Sequence, residues 1–343
     1  MDCATAGGVQ PPPSKYAWLH SLALGQIISA LITGTGVFST TLASAGVDIP
    51  VTQSSLNYVL LSSHLFVVFA RRRQAPLQLC SWKIWLWAFC DVEANFLVVW
   101  AYQYTSIASV MLLDCFAIPC AMVISCILMG RRYTWKHVGG CMICGLGLVL
   151  TVISDLASGK VAPTPNGPCW LGDIMVLLGA GLYGLSNVLQ EQLLKRGCSR
   201  HEALGMLGLF GSVFSCVQAA ALERQALADV AWTTTVVVSM LGFQLCLFGM
   251  YVLTSVFLQK ADATLFNLSL LTSDVYSVAF SWRVQHFRPS WIYAVAFAST
   301  MSGLVVYHSQ PAPAAGAAPP SPTAAARDAL LVTAAVVSSP WPA

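Results

Sequence analysis

Charge is scarce in this chain: Asp, Glu, Lys and Arg make up 9% of its 343 residues, while hydrophobic residues make up 57%. A soluble domain carries roughly a quarter charged residues and covers its surface with them, so this composition excludes a water-facing globular protein. A basic surface large enough to enter a groove is lacking as well. The formal charge of +3 is spread along the chain with no basic face, which excludes nucleic acid as a ligand. The twelve cysteines build no disulfide framework, because most of them (Cys90, Cys115, Cys120, Cys126, Cys141, Cys144, Cys216, Cys246) sit inside apolar runs, where a thiol is a small packing group. Cys141 and Cys144 form a CxxC with no second pair and no pair of histidines beside it, so no metal site and no cofactor are expected.

What the chain has in abundance is hydrophobic length. Apolar runs of about twenty residues, enough to cross a ~30 Å hydrocarbon core, are expected at 17–40, 54–70, 82–102, 106–129, 135–153, 170–190, 202–222, 233–257, 263–282 and 291–309. The first run lacks a clear small-residue cleavage site and reads as a retained span. Alternating sides through ten spans gathers Lys15, Arg71, Arg72, Arg73, Lys83, Arg131, Arg132, Lys136, Lys195, Arg196, Arg200, Lys260 and Arg327 on one side, and leaves Lys160, Arg224, Arg283 and Arg288 on the other. Thirteen against four makes the first side cytoplasmic, with both termini there. Whether the membrane is the plasma membrane or an endomembrane is not encoded in these features.

Ten spans divide into two units of five, and an odd-numbered unit duplicated in tandem inserts its second copy inverted. The expected fold is therefore an all-α membrane protein of ten transmembrane helices in two inverted five-helix repeats, 15–155 and 156–309. Tyr102–Ser109 has a faint counterpart 155 residues later in Phe257–Thr264, and Trp18-Leu19 opens the first span as Trp170-Leu171 opens the sixth. Residues 1–14, and the Ala/Pro-rich tail 310–343, read as disordered cytosolic ends.

An ionisable group at the bilayer centre costs roughly 2.5–3.5 kcal/mol on insertion scales, so acids inside spans are expected to face the bundle interior. These are Asp91 and Glu93 in the third span, Asp114 in the fourth, Glu191 ending the sixth and Asp274 in the ninth. Asp173 and Glu202 sit at helix starts, where a carboxylate complements the dipole. Helical spacing puts Asp91, Asn95 and Tyr102 on one face and Glu93 on the opposite one, so the two acids cannot both line one cavity from this helix and one of them is expected to pair with a neighbouring helix. Tyr183, Asn187 and Glu191 share a stripe, as do Asn267 and Asp274. Interhelical hydrogen bonding accounts for any one of these residues; the set together points to a solute cavity.

Lysine is absent from the span interiors, Lys83 and Lys136 standing second in their runs, and the basic candidates within the spans are His64 and, near an end, Arg283. A diphosphate in such a cavity would lack a countercharge, so a neutral or cationic solute is expected. The carboxylates are also candidates for carrying a coupling proton. An intramembrane aspartyl protease built on Asp114 and Asp274 is the enzyme alternative. It would resemble its class through YD and GxGD motifs, and neither occurs here: Gly145-Leu146-Gly147 runs into Leu148. A receptor or scaffold is the remaining alternative.

Several stretches resemble one family: Asp48-Ile-Pro-Val-Thr-Gln-Ser-Ser-Leu-Asn-Tyr58, Asp91-Val-Glu-Ala-Asn95, Ala101-Tyr-Gln-Tyr-Thr105, Leu112-Leu-Asp-Cys-Phe-Ala-Ile-Pro119, Gly172-Asp173, Leu185-Ser-Asn-Val188, Gly205-Met-Leu-Gly-Leu-Phe-Gly211 and Leu271-Thr-Ser-Asp-Val-Tyr-Ser277. In this order they resemble the F branch of solute carrier family 35, in the drug/metabolite transporter (EamA-like) superfamily. The resemblance implies ten helices in inverted repeats, cytosolic ends, a central cavity, alternating access and leeway for a homodimer. Its members are linked more with nucleoside-like and drug-like solutes than with sugar nucleotides, which stay as the alternative cargo. By position it adds Gln103 to the candidate site of Asp91, Glu93, Asn95, Tyr102, Asp114, Tyr183, Asn187, Glu191, Asn267 and Asp274. The chain departs from the family at Ser281–His286, where Arg283, Gln285 and His286 interrupt an apolar run. Either the ninth helix stops early or Arg283 pairs with an acid in the bundle.

Overall fold

The computed structural model describes residues 17–71, 82–157, 168–195, 198–260, 263–284 and 290–309. The two expected disordered ends lie outside the described residues. In chain order the helices are α1 (Ala17–Ser44), α2 (Pro50–Ser62), α3 (His64–Arg71), α4 (Trp82–Ala101), α5 (Ile107–Asp114), α6 (Ala117–Met129), α7 (Trp135–Ala157), α8 (Cys169–Lys195), α9 (Arg200–Leu222), α10 (Arg224–Asp229), α11 (Thr234–Lys260), α12 (Ala263–Arg283) and α13 (Trp291–His308). Among the described residues, seven helical stretches are long and apolar enough to span a membrane, with α5 and α6 counted as one, and Trp291–Tyr307 is a shorter apolar helix. The protein is an all-helical membrane protein.

Local chemistry explains the helix ends. Ser106, Ser199 and Ser290 each accept the backbone N–H three residues on, at 3.1, 3.2 and 3.2 Å, so each hydroxyl satisfies one of the unpaired amides that open a helix. Pro50 takes the first position of α2, where its missing N–H is harmless, and the helix starts four residues before the expected 54. Gly130, at φ 62°, ends α6, with its N–H on Cys126 O and that of Arg131 on Ser125 O, a left-handed cap that glycine adopts without strain. Two expected spans are broken: the second at Ser63, the fourth at Cys115–Phe116. The expected ninth span is α12, which runs to Arg283, whose side chain is exposed and does not turn into the bundle; Gln285 and His286 lie outside the described residues.

In lipid, helices associate through close packing and small residues. Here α1 packs on α11 and α12, α8 on α4 and α6, α2 on α9, and α7 on α13. Gly205, Gly208 and Gly211 bring α9 against Leu65, Leu61–Ser62 and Tyr58. Gly140, Gly147 and Gly303 bring α7 and α13 to backbone contact, whereas Gly139 and Gly145 have open space where a Cβ would stand.

At the end of the bundle where α1 turns into α2, the chain is sewn together. The Glu223 carboxylate, 5% exposed at the end of α9, accepts Val51 N–H at 2.6 Å and Thr52 N–H at 2.7 Å, capping α2 from another helix. Gln103 Nε2 donates to Val47 O at 2.7 Å, Gln53 Nε2 to Ser39 Oγ at 2.7 Å, and Gln244 Nε2 to Gln53 O. Burial pushes the Glu223 carboxyl above its ordinary range against the pull of those amides, and the charge of Asp48 adds to the rise. The folded state thus holds that proton more tightly than the unfolded chain. The group's contribution to stability is complete in acid and is lost as pH rises through the raised value. In thermal unfolding of the detergent-solubilised protein, the midpoint should fall as pH rises from about 4, near the ordinary Glu value, by more in the wild type than in Glu223→Gln. An equal fall in both would show that Glu223 contributes nothing to this dependence.

Candidate functional site

A single helix cannot enclose a solute, so the site is built where several spans present polar faces to one another. A cavity of about 320 Å³ lies among α1, α4, α5, α6, α8, α11, α12 and α13, a size suited to a small organic molecule. Asp91, Asn95, Tyr102, Asp114, Tyr183, Asn187 and Asp274 are all on its wall. Lys, Arg and His are absent from that wall among the described residues, while Trp87, Phe243 and Tyr251 add aromatic faces.

Asp91 is the most heavily bonded of the acids. Its Oδ2 accepts Tyr251 O–H at 2.7 Å and Tyr58 O–H at 2.9 Å, and its Oδ1 accepts Ser186 O–H at 3.0 Å. Asn95, one turn along α4, donates through Nδ2 to Tyr58 Oη at 2.9 Å and Tyr251 Oη at 3.1 Å. This network ties α2, α4, α8 and α11 together at one buried carboxylate.

Asp114 and Asp274 form a second acidic region. Asp114 is the last residue of α5, at the break before α6. Asp274 of α12 is buried, and its Oδ2 accepts the Cys115 thiol at 3.7 Å. The break exists because the sequence around it cannot extend α5: Pro119 lacks the N–H that would bond back to the Cys115 carbonyl, which instead accepts from Ile118.

The other sequence-selected residues are placed elsewhere. Glu93 turns to α9, where it accepts Gln218 Nε2 at 3.3 Å, and is not on the cavity wall. Gln103 serves the α1–α2 turn. Glu191 leaves the stripe of Tyr183 and Asn187 to pair with Arg131, just after α6. The side chain of Asn267 lies outside the described residues. Sequence reasoning passed over Tyr58, Tyr251, Ser186 and Trp87. Tyr58 and Ser186 fall in family-like stretches and could have been found there, whereas Tyr251 carries no local signal, since only packing brings it to Asp91.

Broken and continuous helices around a central acidic cavity, in an all-helical membrane chain, define a multi-pass membrane carrier. The comparisons with known proteins place it. The model of solute carrier family 35, in its F division, matches residues 14–309, and the chain belongs to that family. It is 37% identical over 304 residues to solute carrier family 35 member F2 of Mus musculus, covering 86% of this chain and 80% of that protein. Its likeness to the member F2 of Xenopus tropicalis is also 37%, over 300 residues, 85% of this chain and 76% of the relative. An uncharacterized solute carrier family 35 member of Schizosaccharomyces pombe is 35% identical over 291 residues, 83% of this chain and 57% of its own length. A solved crystal structure shares the fold at TM-score 0.56 and 16% identity, over 84% of this chain and 96% of that one.

Proposed function

We propose that this protein moves a neutral or cationic, nucleoside-like or other small organic solute across a membrane by alternating access, and that it is not an enzyme. The observation that carries this reading is a cavity with three carboxylates on its wall and no basic side chain among its described lining residues. A pyrophosphate-bearing nucleotide sugar would bring two negative charges to that wall without a countercharge.

The architecture in this reading is ten spans in two inverted repeats, 15–155 and 156–309, with both termini cytosolic. Joining α2 with α3 and α5 with α6, and leaving out the short α10, gives ten rods. The packing of α1 on α11 and α12 then corresponds to that of α8 on α4 and α6, and the α2–α9 and α7–α13 pairs correspond to themselves. That exchange supports a twofold relation between the halves. The cavity wall includes Trp87, five residues into α4, and Gln190, five residues before the end of α8, so it reaches toward the ends that the charge bias makes cytosolic. The opposite ends carry the Glu223, Gln103 and Gln244 bonds. The structure is thus read as an inward-facing state whose outer side is shut, and the Glu223 and Gln244 bonds, which join one half to the other, are the ones that break when the halves rock. Asp114 and Asp274 are the candidate carriers of a coupling proton.

The test is uptake by proteoliposomes of the purified protein, with nucleosides, nucleobases, organic amines and nucleotide sugars compared with and without a pH gradient. Saturable uptake of a nucleoside or amine is expected. Robust uptake of a nucleotide sugar alone would overturn the solute class, and gradient-driven uptake that survives both Asp114→Asn and Asp274→Asn would remove their coupling role.

A further inference from the structure

The three cavity carboxylates are not equivalent, and their hydrogen bonding separates them. Asp91 has its acceptors filled by the protein's own side chains: Tyr58, Tyr251 and Ser186 all donate to it. A carboxylate so occupied offers little to a ligand. Asp114 is the reverse case. Its Oδ1 is buried with no hydrogen-bond partner, and it ends α5, where terminal carbonyls concentrate partial negative charge. Asp274, 5% exposed on the facing α12, lines the same cavity and has the Cys115 thiol as its donor.

A second orphan sits on the same wall. Trp87 is 1% exposed, and its Nε1–H donor has no partner. Buried polar groups are almost always paired, and leaving one unpaired costs about 1–3 kcal/mol. A carboxyl oxygen and an uncharged N–H donor, each without a partner and both on residues of one cavity wall, describe the complement they lack. That complement is a positively charged N–H donor at one end and an uncharged acceptor at the other. The aromatic faces of Tyr102, Tyr183 and Phe243 between the helices favour a cation further.

We infer that Asp114, with Asp274 beside it, receives the protonated amine of an organic solute, that Trp87 donates to a carbonyl or hydroxyl oxygen of the same molecule, and that Asp91 is a positioning residue rather than a ligand. This deepens the transporter reading and rests on it for its physiological sense, but binding is measurable without transport.

Isothermal titration of the full-length protein in detergent with 4-acetylbenzylamine, its uncharged analogue 4-acetylbenzyl alcohol, and benzylamine isolates each contact. The wild type should bind the acetylated amine about ten-fold more tightly than the alcohol, the size of one charge-assisted hydrogen bond. Asp114→Asn should erase that ratio. Asp91→Asn should weaken both probes alike and keep the ratio, and Trp87→Phe should remove the advantage of the acetyl group while keeping that of the charge. A ratio near one in the wild type, a ratio that survives Asp114→Asn, or a ratio lost in Asp91→Asn would overturn the assignment. Should Asp114→Asn fail to fold, carbodiimide modification of Asp114 in the wild type, read by mass spectrometry, decides: the amine should protect it and the alcohol should not, and equal protection contradicts the proposal. Loss of amine selectivity with flux intact removes this assignment alone. Charge-selective binding without flux removes the transporter reading and leaves the site.

Discussion

Replacing Asp91 with leucine should lower solute flux by about two orders of magnitude and cut the yield of monodisperse protein. The carboxylate accepts from Tyr58, Tyr251 and Ser186 and holds Asn95 in place. An apolar side chain there strands several buried donors at once, at about 1–3 kcal/mol each. Because those donors come from α2, α8 and α11, the loss loosens four helices rather than one. Tyr251→Phe removes a single donor and should cost about 1 kcal/mol in thermal stability with a partial loss of flux. Leucine at position 91 with normal flux and an unchanged melting midpoint would show that the network is incidental.

The other large effect concerns the α2–α9 contact. A Cβ on Gly208 would stand 2.2 Å from Ser62 N and 2.5 Å from the Leu61 carbonyl carbon. Both are backbone atoms and neither can swing aside, so Gly208→Ala must push the helices apart. The expected cost is about 3 kcal/mol, the upper end of overpacking penalties, seen as a loss of folded protein in size-exclusion profiles. Gly139 is the internal control. It has nothing within 4 Å, and alanine there should be neutral or slightly stabilising, as helix propensity dictates. Equal behaviour of the two variants would mean that close approach of α9 to α2 does not hold the fold.

Much of the helical layout was legible because hydrophobic length and flanking charge are local properties. The expected spans at 135–153, 202–222 and 291–309 lie within a few residues of α7, α9 and α13. The breaks at Ser63 and Cys115–Phe116 were not legible: their residues are compatible with a continuous helix by composition, and Pro119 alone marks the second. For the site, helical spacing brought Asp91, Asn95 and Tyr102 to one wall because a single helix carries all three. It failed for Glu191, whose stripe with Tyr183 and Asn187 ends at the bundle edge, where Arg131 from another connection captures it. It could not find Tyr251 or Glu223, since the partner of each lies more than 150 residues away in the chain. Family resemblance carried Tyr58 on the page but gave no role for it; only the packing of α2 on α4 does.

The identification with solute carrier family 35 and the acidic cavity belong together, because a carrier needs a central compartment that either side of the membrane can reach in turn. Cys115 offers a direct probe of that compartment, being the cysteine on the cavity wall among the described residues. A membrane-impermeant methanethiosulfonate applied separately to the two faces of the membrane, with modification of Cys115 read by mass spectrometry, should label it from the cytosolic face and, more slowly, from the opposite face. Labelling from one face alone, whatever the solute or pH gradient, would contradict alternating access through this cavity.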